Sequence, residues 1–112
     1  MSTIHVLDGG YRMQKITYFH LAHCPYCIKA NKAIDELIKE NTAYGELEIE
    51  RIDEGRHPDI ADRYDYYYVP TMYVGEKKQY EADPSQDYDA IKADVRRVFE
   101  LAILPAEEGG NR

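Results

Sequence analysis

No apolar run in this sequence approaches the roughly 20 residues needed to cross a bilayer, so no membrane-spanning helix is expected. Basic residues are too few and too scattered for a phosphate-binding surface. With 14 Lys and Arg against 21 Asp and Glu the net charge is −7, and nucleic acid is not an expected partner. Cysteine is scarce as well. The two residues, Cys24 and Cys27, cannot build a multi-bridge framework, and a bridge across so short a loop does little through chain entropy. Met1 to Gly10 lacks the basic and apolar regions of a secretion signal and carries Asp8, so a cytoplasmic, reducing setting is expected. A close cysteine pair there points to chemistry or metal rather than architecture. With 112 residues, two large lobes are ruled out. What the chain does have is 44% hydrophobic residues in regular apolar spacing, with 11 Tyr and 2 Phe, which gives a core something to bury and disfavours disorder.

Gln14 to Leu21 is short and rich in β-branched and aromatic residues and reads as a buried strand. From Cys24 onward Ala30, Ile34, Leu37 and Ile38 recur at three- and four-residue steps among charged residues, which predicts an amphipathic helix ending near Asn41 to Gly45. Glu46 to Asp53 alternates and reads as a second strand. His57-Pro58-Asp59 opens a second helix with Ile60, Tyr64 and Tyr67 on one face, stopped by Tyr68 because Val69 precedes Pro70. Thr71 to Gly75 and Lys77 to Ala82 form a hairpin around Gly75-Glu76. Asp83-Pro84-Ser85 opens a last helix, apolar at Tyr88, Ile91, Val95, Val98, Phe99 and Ala102 and ended by Pro105. The order predicts a parallel first strand pair joined by a crossover helix, then an antiparallel pair, in one mixed sheet. Residues 1–13 stand outside as an extension, either an edge strand hairpinned to the first strand or a loose terminus. Residues 14–104 form the domain and 105–112 a tail.

Only a thiolate attacks a disulfide, so the question is which cysteine the local structure favours in that form. With Cys24 at the N-cap and Pro25 at N1, the Cys24 sulfur is expected to face the unpaired N–H groups of the first turn, at the positive end of the helix dipole. Cys27 falls at N3, facing the sheet, where desolvation raises its pKa and makes it the resolving thiol. Two inert buried thiols are the plain alternative. A metal reading would recruit His20 or His23, but tetrahedral zinc wants four ligands and there is no second cysteine pair, so no metal is expected. His23 either adds positive charge beside the Cys24 thiolate when protonated or is an exposed loop histidine. Tyr26 and Tyr68 are read as an aromatic rim beside the dithiol, and Tyr64 as core.

Cys24-Pro25-Tyr26-Cys27 resembles the dithiol active-site sequence of glutaredoxins, and Val69-Pro70 stands where the glutaredoxin and thioredoxin superfamily places a cis-proline loop. The resemblance runs from about Gln14 to Leu104. It implies an α/β, thioredoxin-like fold with a central mixed four-stranded sheet flanked by three helices, Cys24 as nucleophile, and a loop through Val69, Pro70 and Thr71 that receives the substrate backbone. The implied activity is that of a thiol-disulfide oxidoreductase with no dissociable cofactor. Its partners would be a disulfide-containing protein or a low-molecular-weight thiol, and a reductase or thiol reductant, with the chain acting as a monomer. A binding module on the same fold, or a dimer bridging an iron-sulfur cluster, is the alternative. Tyr68-Val69-Pro70 replaces the usual Thr-Val-Pro, and Glu81 to Gln86 lacks the glycine pair of glutaredoxins. Ser85 and Gln86 are expected at the start of the last helix, where free N–H groups would take a carboxylate. Glu81, Asp83, Asp87 and Asp89 oppose an anion there, so glutathione is expected only as a weak reductant.

Overall fold

The computed structural model describes residues 5–7 and 11–103. Its elements are β1 (His5–Leu7), β2 (Tyr11–Met13), β3 (Ile16–His20), α1 (Pro25–Glu40), a 3-10 turn (Thr42–Glu46), β4 (Ile49–Asp53), α2 (Pro58–Ala61), β5 (Thr71–Val74), β6 (Lys77–Glu81) and α3 (Tyr88–Ala102). The main sheet has the order β4-β3-β5-β6, with β3 parallel to β4 and antiparallel to β5, and β5 antiparallel to β6. This is the mixed four-stranded sheet with three helices that the element order predicts.

The central strands, ITYFH and TMYV, are the most apolar segments and are buried on both faces. On one face Ile16, Tyr18, Met72, Val74 and Tyr80 pack against Ala30, Ile34 and Leu37 of α1 and Ile91, Val95, Val98 and Phe99 of α3. Fully burying side chains of this size contributes roughly 1.5–3 kcal/mol each, so this face anchors the domain. On the other face Phe19, Ile52 and Tyr73 are covered by Ile60, Tyr64, Tyr66 and Val69. The rings of Tyr64 and Tyr66 lie 4.7 and 4.9 Å from that of Phe19. An aromatic loop therefore serves as the second layer.

Four expectations are corrected. The second helix is only Pro58–Ala61 and does not run on to Tyr68. The N–H groups of Asp62, Arg63 and Tyr64 still bond back to Pro58 O, Ile60 O and Ala61 O, but further on side chains take over: Asp65 N–H donates to the Tyr73 hydroxyl, and the N–H groups of Tyr67 and Tyr68 donate to the Glu81 carboxylate. Tyr67 is accordingly exposed rather than on a buried face. The second strand begins at Ile49, because Leu47 N–H donates to Tyr44 O and closes the 3-10 turn before it. The last helix begins at Tyr88, with the Asp87 carboxylate accepting from Ala90 N–H at 2.9 Å; residues 83–86 form a separate turn.

The fourth correction concerns the N-terminal extension. β1 and β2 pair with each other, His5 opposite Met13, as a separate two-stranded sheet. They cannot pair with β3, both of whose edges are occupied by β4 and β5. Residues 8–10 and the tail from 104 onward lie outside the described residues. Gly75 takes φ +59° in the two-residue β5–β6 turn, the conformation a II′ turn requires at its first position. Among the described residues no helix is long and apolar enough to cross a membrane.

Candidate active site

β3 ends at His20, and the chain turns through Leu21–His23 to enter α1 with Cys24 at the N-cap and Pro25 at N1. Proline suits that position because its missing N–H is one the helix could not pair anyway. Cys24 is half-buried and Cys27, one turn on, is fully buried; both are free thiols. The Cys24 side chain makes no capping hydrogen bond, contrary to the expectation that its sulfur faces the first-turn N–H groups. Its sulfur instead lies 3.9 Å from the carbonyl oxygen of Val69. A protonated thiol is a donor and seeks an acceptor, which a carbonyl supplies and a helix N-terminus does not.

Cys27 behaves as its N3 position requires. Burial pushes its thiol up to about 12, the neighbouring Cys24 adds to the rise, and the Leu21 N–H, which donates to its sulfur at 3.4 Å, pulls the other way. Beneath it lies Tyr18, fully buried, whose hydroxyl donates to Asn31 Oδ1 at 2.8 Å and lies 3.5 Å from Cys27 O. Burial raises the Tyr18 phenol above its ordinary range, so the group under the dithiol is a neutral hydroxyl.

The Val69–Pro70 peptide is cis, as the resemblance implies. Pro70 is buried, and its carbonyl accepts from Ala82 N–H at 2.9 Å. Thr71 is also buried, its hydroxyl donating to Tyr68 O, so it supports the loop from behind. Tyr68 is 56% exposed beside Val69, while Tyr64 packs between Phe19 and Tyr73. Tyr26 is not a free rim: it is half-buried against the main core, and its hydroxyl donates to Pro84 O at 3.0 Å. Ser85 and Gln86 do not open a helix. The Ser85 N–H and hydroxyl both donate to Asp83 Oδ1, and the Gln86 side chain is tied to Tyr80, Asp83 and Asp94. His23 is exposed.

His23 and Cys24 line a groove of about 540 Å³, together with Leu21 and Ala22 on one side and Asp53, Gly55 and Arg56 on the other. Of these only the cysteine and His23 were legible as candidate site residues. The signal for the rest is topological. β3 and β4 are parallel neighbours, but the chain leaves β3 into the helix on one face and β4 into the segment on the other, so a crevice opens beyond their carboxyl ends. Gly55 keeps it tight, since a Cβ there would stand 3.2 Å from both Leu21 Cδ2 and Asp53 Oδ1.

No protein-family model and no curated protein matches the sequence. Solved structures do match in fold. Thioredoxin O1 from Arabidopsis thaliana in the oxidised state is 21% identical with a TM-score of 0.55, over 88% of this chain and 84% of that one. Thioredoxin 1 from Thermosipho africanus is 21% identical with a TM-score of 0.51, over 78% of this chain and 96% of that one. A thioredoxin-like protein from Clostridium perfringens is 23% identical with a TM-score of 0.51, over 89% and 79%. The chain has the thioredoxin-like fold, with Cys24 and Cys27 together at its first long helix.

Proposed function

We propose that the chain is a thiol-disulfide oxidoreductase that reduces protein or mixed disulfides through Cys24 and Cys27. The observation that carries this reading is the division between the two sulfurs: one half-open at a helix N-terminus beside the Val69 carbonyl, the other buried and held as a thiol. The Cys24 thiolate attacks one sulfur of a substrate disulfide, the substrate S–S bond breaks, and its leaving thiolate takes up a proton. Cys27 then loses its proton and attacks the Cys24 sulfur, releasing the second substrate thiol and leaving a Cys24–Cys27 disulfide. Two electrons and two protons from an external reductant regenerate the dithiol. A high Cys27 pKa keeps that residue out of the first attack, so the order of events is set by position.

Substrate approach is along the loop bearing Val69 and Tyr68, with the groove beside Cys24 open to the flanking part of the substrate. No dissociable cofactor enters the reaction, and a monomer in the reducing cytosol suffices for it. The reductant is a reductase or a thiol other than glutathione. Glutathione is anionic, the chain carries a net −7, and the Ser85 and Gln86 groups needed to hold its carboxylate are bonded internally. Its expected affinity is millimolar or poorer, worth roughly 4 kcal/mol.

The test is steady-state reduction of a protein disulfide and of a mixed glutathione disulfide, each run with glutathione and its reductase and with a thioredoxin reductase system. Turnover on the protein disulfide, faster with the second system, is expected. Absence of turnover with either system, and with dithiothreitol as reductant, sinks the oxidoreductase reading. Micromolar glutathione binding by calorimetry returns the chain to the ordinary glutaredoxin pattern.

A further inference from the structure

The loop that brings Val69 to Cys24 is irregular, and its geometry depends on what satisfies its backbone. β6 supplies most of that. The β5–β6 ladder slips by one residue, with Met72 opposite Tyr80 but Tyr73 opposite Lys78. In a regular strand residues three apart face opposite sides, but the extra residue at Gln79 turns Lys78 and Glu81 to the same side. There Lys78 Nζ donates to Glu81 Oε1 at 2.7 Å and to Asp65 O at 3.1 Å. Glu81 Oε2 accepts from the N–H groups of both Tyr67 and Tyr68, at 2.5 and 2.8 Å. One carboxylate oxygen thus holds the two consecutive amides that immediately precede Val69.

We propose that Glu81 is a positioning residue for the dithiol site: its carboxylate clamps the Tyr67–Tyr68 backbone and thereby aims the Val69 carbonyl at Cys24 and turns the Tyr68 ring outward beside it. This rests on the reading of Cys24 as the attacking sulfur. The clamp is specific to an acceptor oxygen on that side chain. The ion pair with Lys78 neutralises the carboxylate but touches neither amide, and Thr71 and Ala82 hold only carbonyls of the same loop, those of Tyr68 and Pro70. Without Glu81 the two N–H groups turn to water, and the carbonyl that follows them loses its fixed direction.

The experiment compares Glu81→Ala, Glu81→Gln and Lys78→Ala in the full chain, read by kcat and KM on a protein disulfide and by the rate of Cys24 alkylation with iodoacetamide. Glu81→Ala is expected to lower kcat/KM at least tenfold, chiefly through KM, and to change the Cys24 alkylation rate several-fold. Glu81→Gln, which keeps an acceptor oxygen, recovers most of that loss, and formate restores Glu81→Ala where chloride at equal ionic strength does not. Lys78→Ala stays near wild type. Thermal melts of each variant separate positioning from unfolding. The proposal is overturned if Glu81→Ala keeps kcat/KM and the alkylation rate within twofold of wild type. It is equally overturned if Lys78→Ala loses as much, which makes the ion pair the active feature. A wild-type protein without turnover refutes the oxidoreductase reading instead; the clamp is then judged on alkylation alone, and an unchanged Cys24 rate in Glu81→Ala ends it.

Discussion

The burial of Cys27 has a kinetic consequence that can be worked out in advance. Consider Cys24→Ser, which leaves Cys27 as the single thiol, reacting with dithiodipyridine at about pH 8. With its pKa near 12, only about one Cys27 side chain in 10,000 is ionised there, against about a quarter of a free cysteine with pKa about 8.5, a deficit of roughly 2,000-fold. A more basic thiolate is a better nucleophile. With a Brønsted slope of about 0.4–0.5 over about 3.5 pKa units, this returns roughly 25- to 60-fold. The net expectation is a rate below that of free cysteine by up to about 40- to 100-fold, the full figure holding only for the whole wild-type shift. Removing Cys24 removes its share of the rise, but burial is the larger cause and stays. The rate should climb about tenfold per pH unit through pH 9 without levelling. A plateau below about pH 9, or a rate within fivefold of free cysteine, shows an ordinary thiol and refutes the assignment of Cys27 as the protected partner.

In the wild-type protein, limiting iodoacetamide followed by peptide mapping should find Cys24 modified first; label at Cys27 first overturns the order. Cys24→Ser should abolish turnover, and Cys27→Ser should accumulate mixed disulfides with substrate, visible as mass adducts; full activity of either variant on a protein disulfide removes the two-cysteine mechanism. Tyr18→Phe removes the 2.8 Å donor of Asn31 Oδ1, but Asn31 is half-buried and keeps the Arg51 guanidinium at 3.5 Å, so the cost in urea unfolding should be only about 0.5–1.5 kcal/mol, the net worth of one hydrogen bond; a loss above about 3 kcal/mol contradicts this. Acid should weaken the fold through carboxylates held below their usual range. Burial alone would raise Glu81, but Lys78 and the Tyr67 and Tyr68 N–H groups outweigh it; Tyr88 and Lys92 lower Glu36, and Lys92 lowers Glu40. Depressed native pKa values give stability that is present above the unfolded carboxylate range, about pH 4.3, and lost as pH falls through the native values. Tm should hold steady from about pH 7 to 5 and drop below about 4; a flat Tm down to about pH 3 contradicts these pairings.

Much of this could be read from the residues because the decisive signals were local. Apolar spacing marked α1 and α3, the run from Ile16 to His20 marked the central strand, and Pro25 after Cys24 marked a helix start. Errors arose where a distant side chain outbid a local pattern. The i, i+4 spacing of Ile60 and Tyr64 suggested a full second helix, but Tyr73 and Glu81, eight and more residues further on, take the amides that such a helix would need. Asp83-Pro84-Ser85 has the pattern of a helix start, but the Asp83 carboxylate is taken by Ser85 in a separate turn, and Asp87 caps α3. The groove was invisible for a different reason. Leu21, Ala22, Gly55 and Arg56 carry no motif, and only the direction in which successive helices leave the sheet brings them together.

That topology also explains why Cys24 can be open while its neighbour three residues away is sealed. The chain leaves β3 toward the face occupied by α1 and α3, so a residue at N3 of α1 points into the main core, and Cys27 is buried with Ala30 and Ile34 behind it. It leaves β4 toward the opposite face, which draws the Asp53–Arg56 turn away from α1 and uncovers the N-cap. The third wall comes from β5, antiparallel to β3, so that the residue entering it, Pro70, lies beside the end of β3 and delivers Val69 O to within 3.9 Å of the Cys24 sulfur. Both helix exits and the strand direction are needed for this. Were β4 to connect on the same face as β3, the turn would cover Cys24; were β5 parallel to β3, Val69 would enter at the far end of the sheet. The half-exposed sulfur, the carbonyl beside it and the groove along it thus follow from the order and sense of three strands, and Glu81 adds the local hold on the one wall, Tyr67 to Val69, that has no regular secondary structure to fix it.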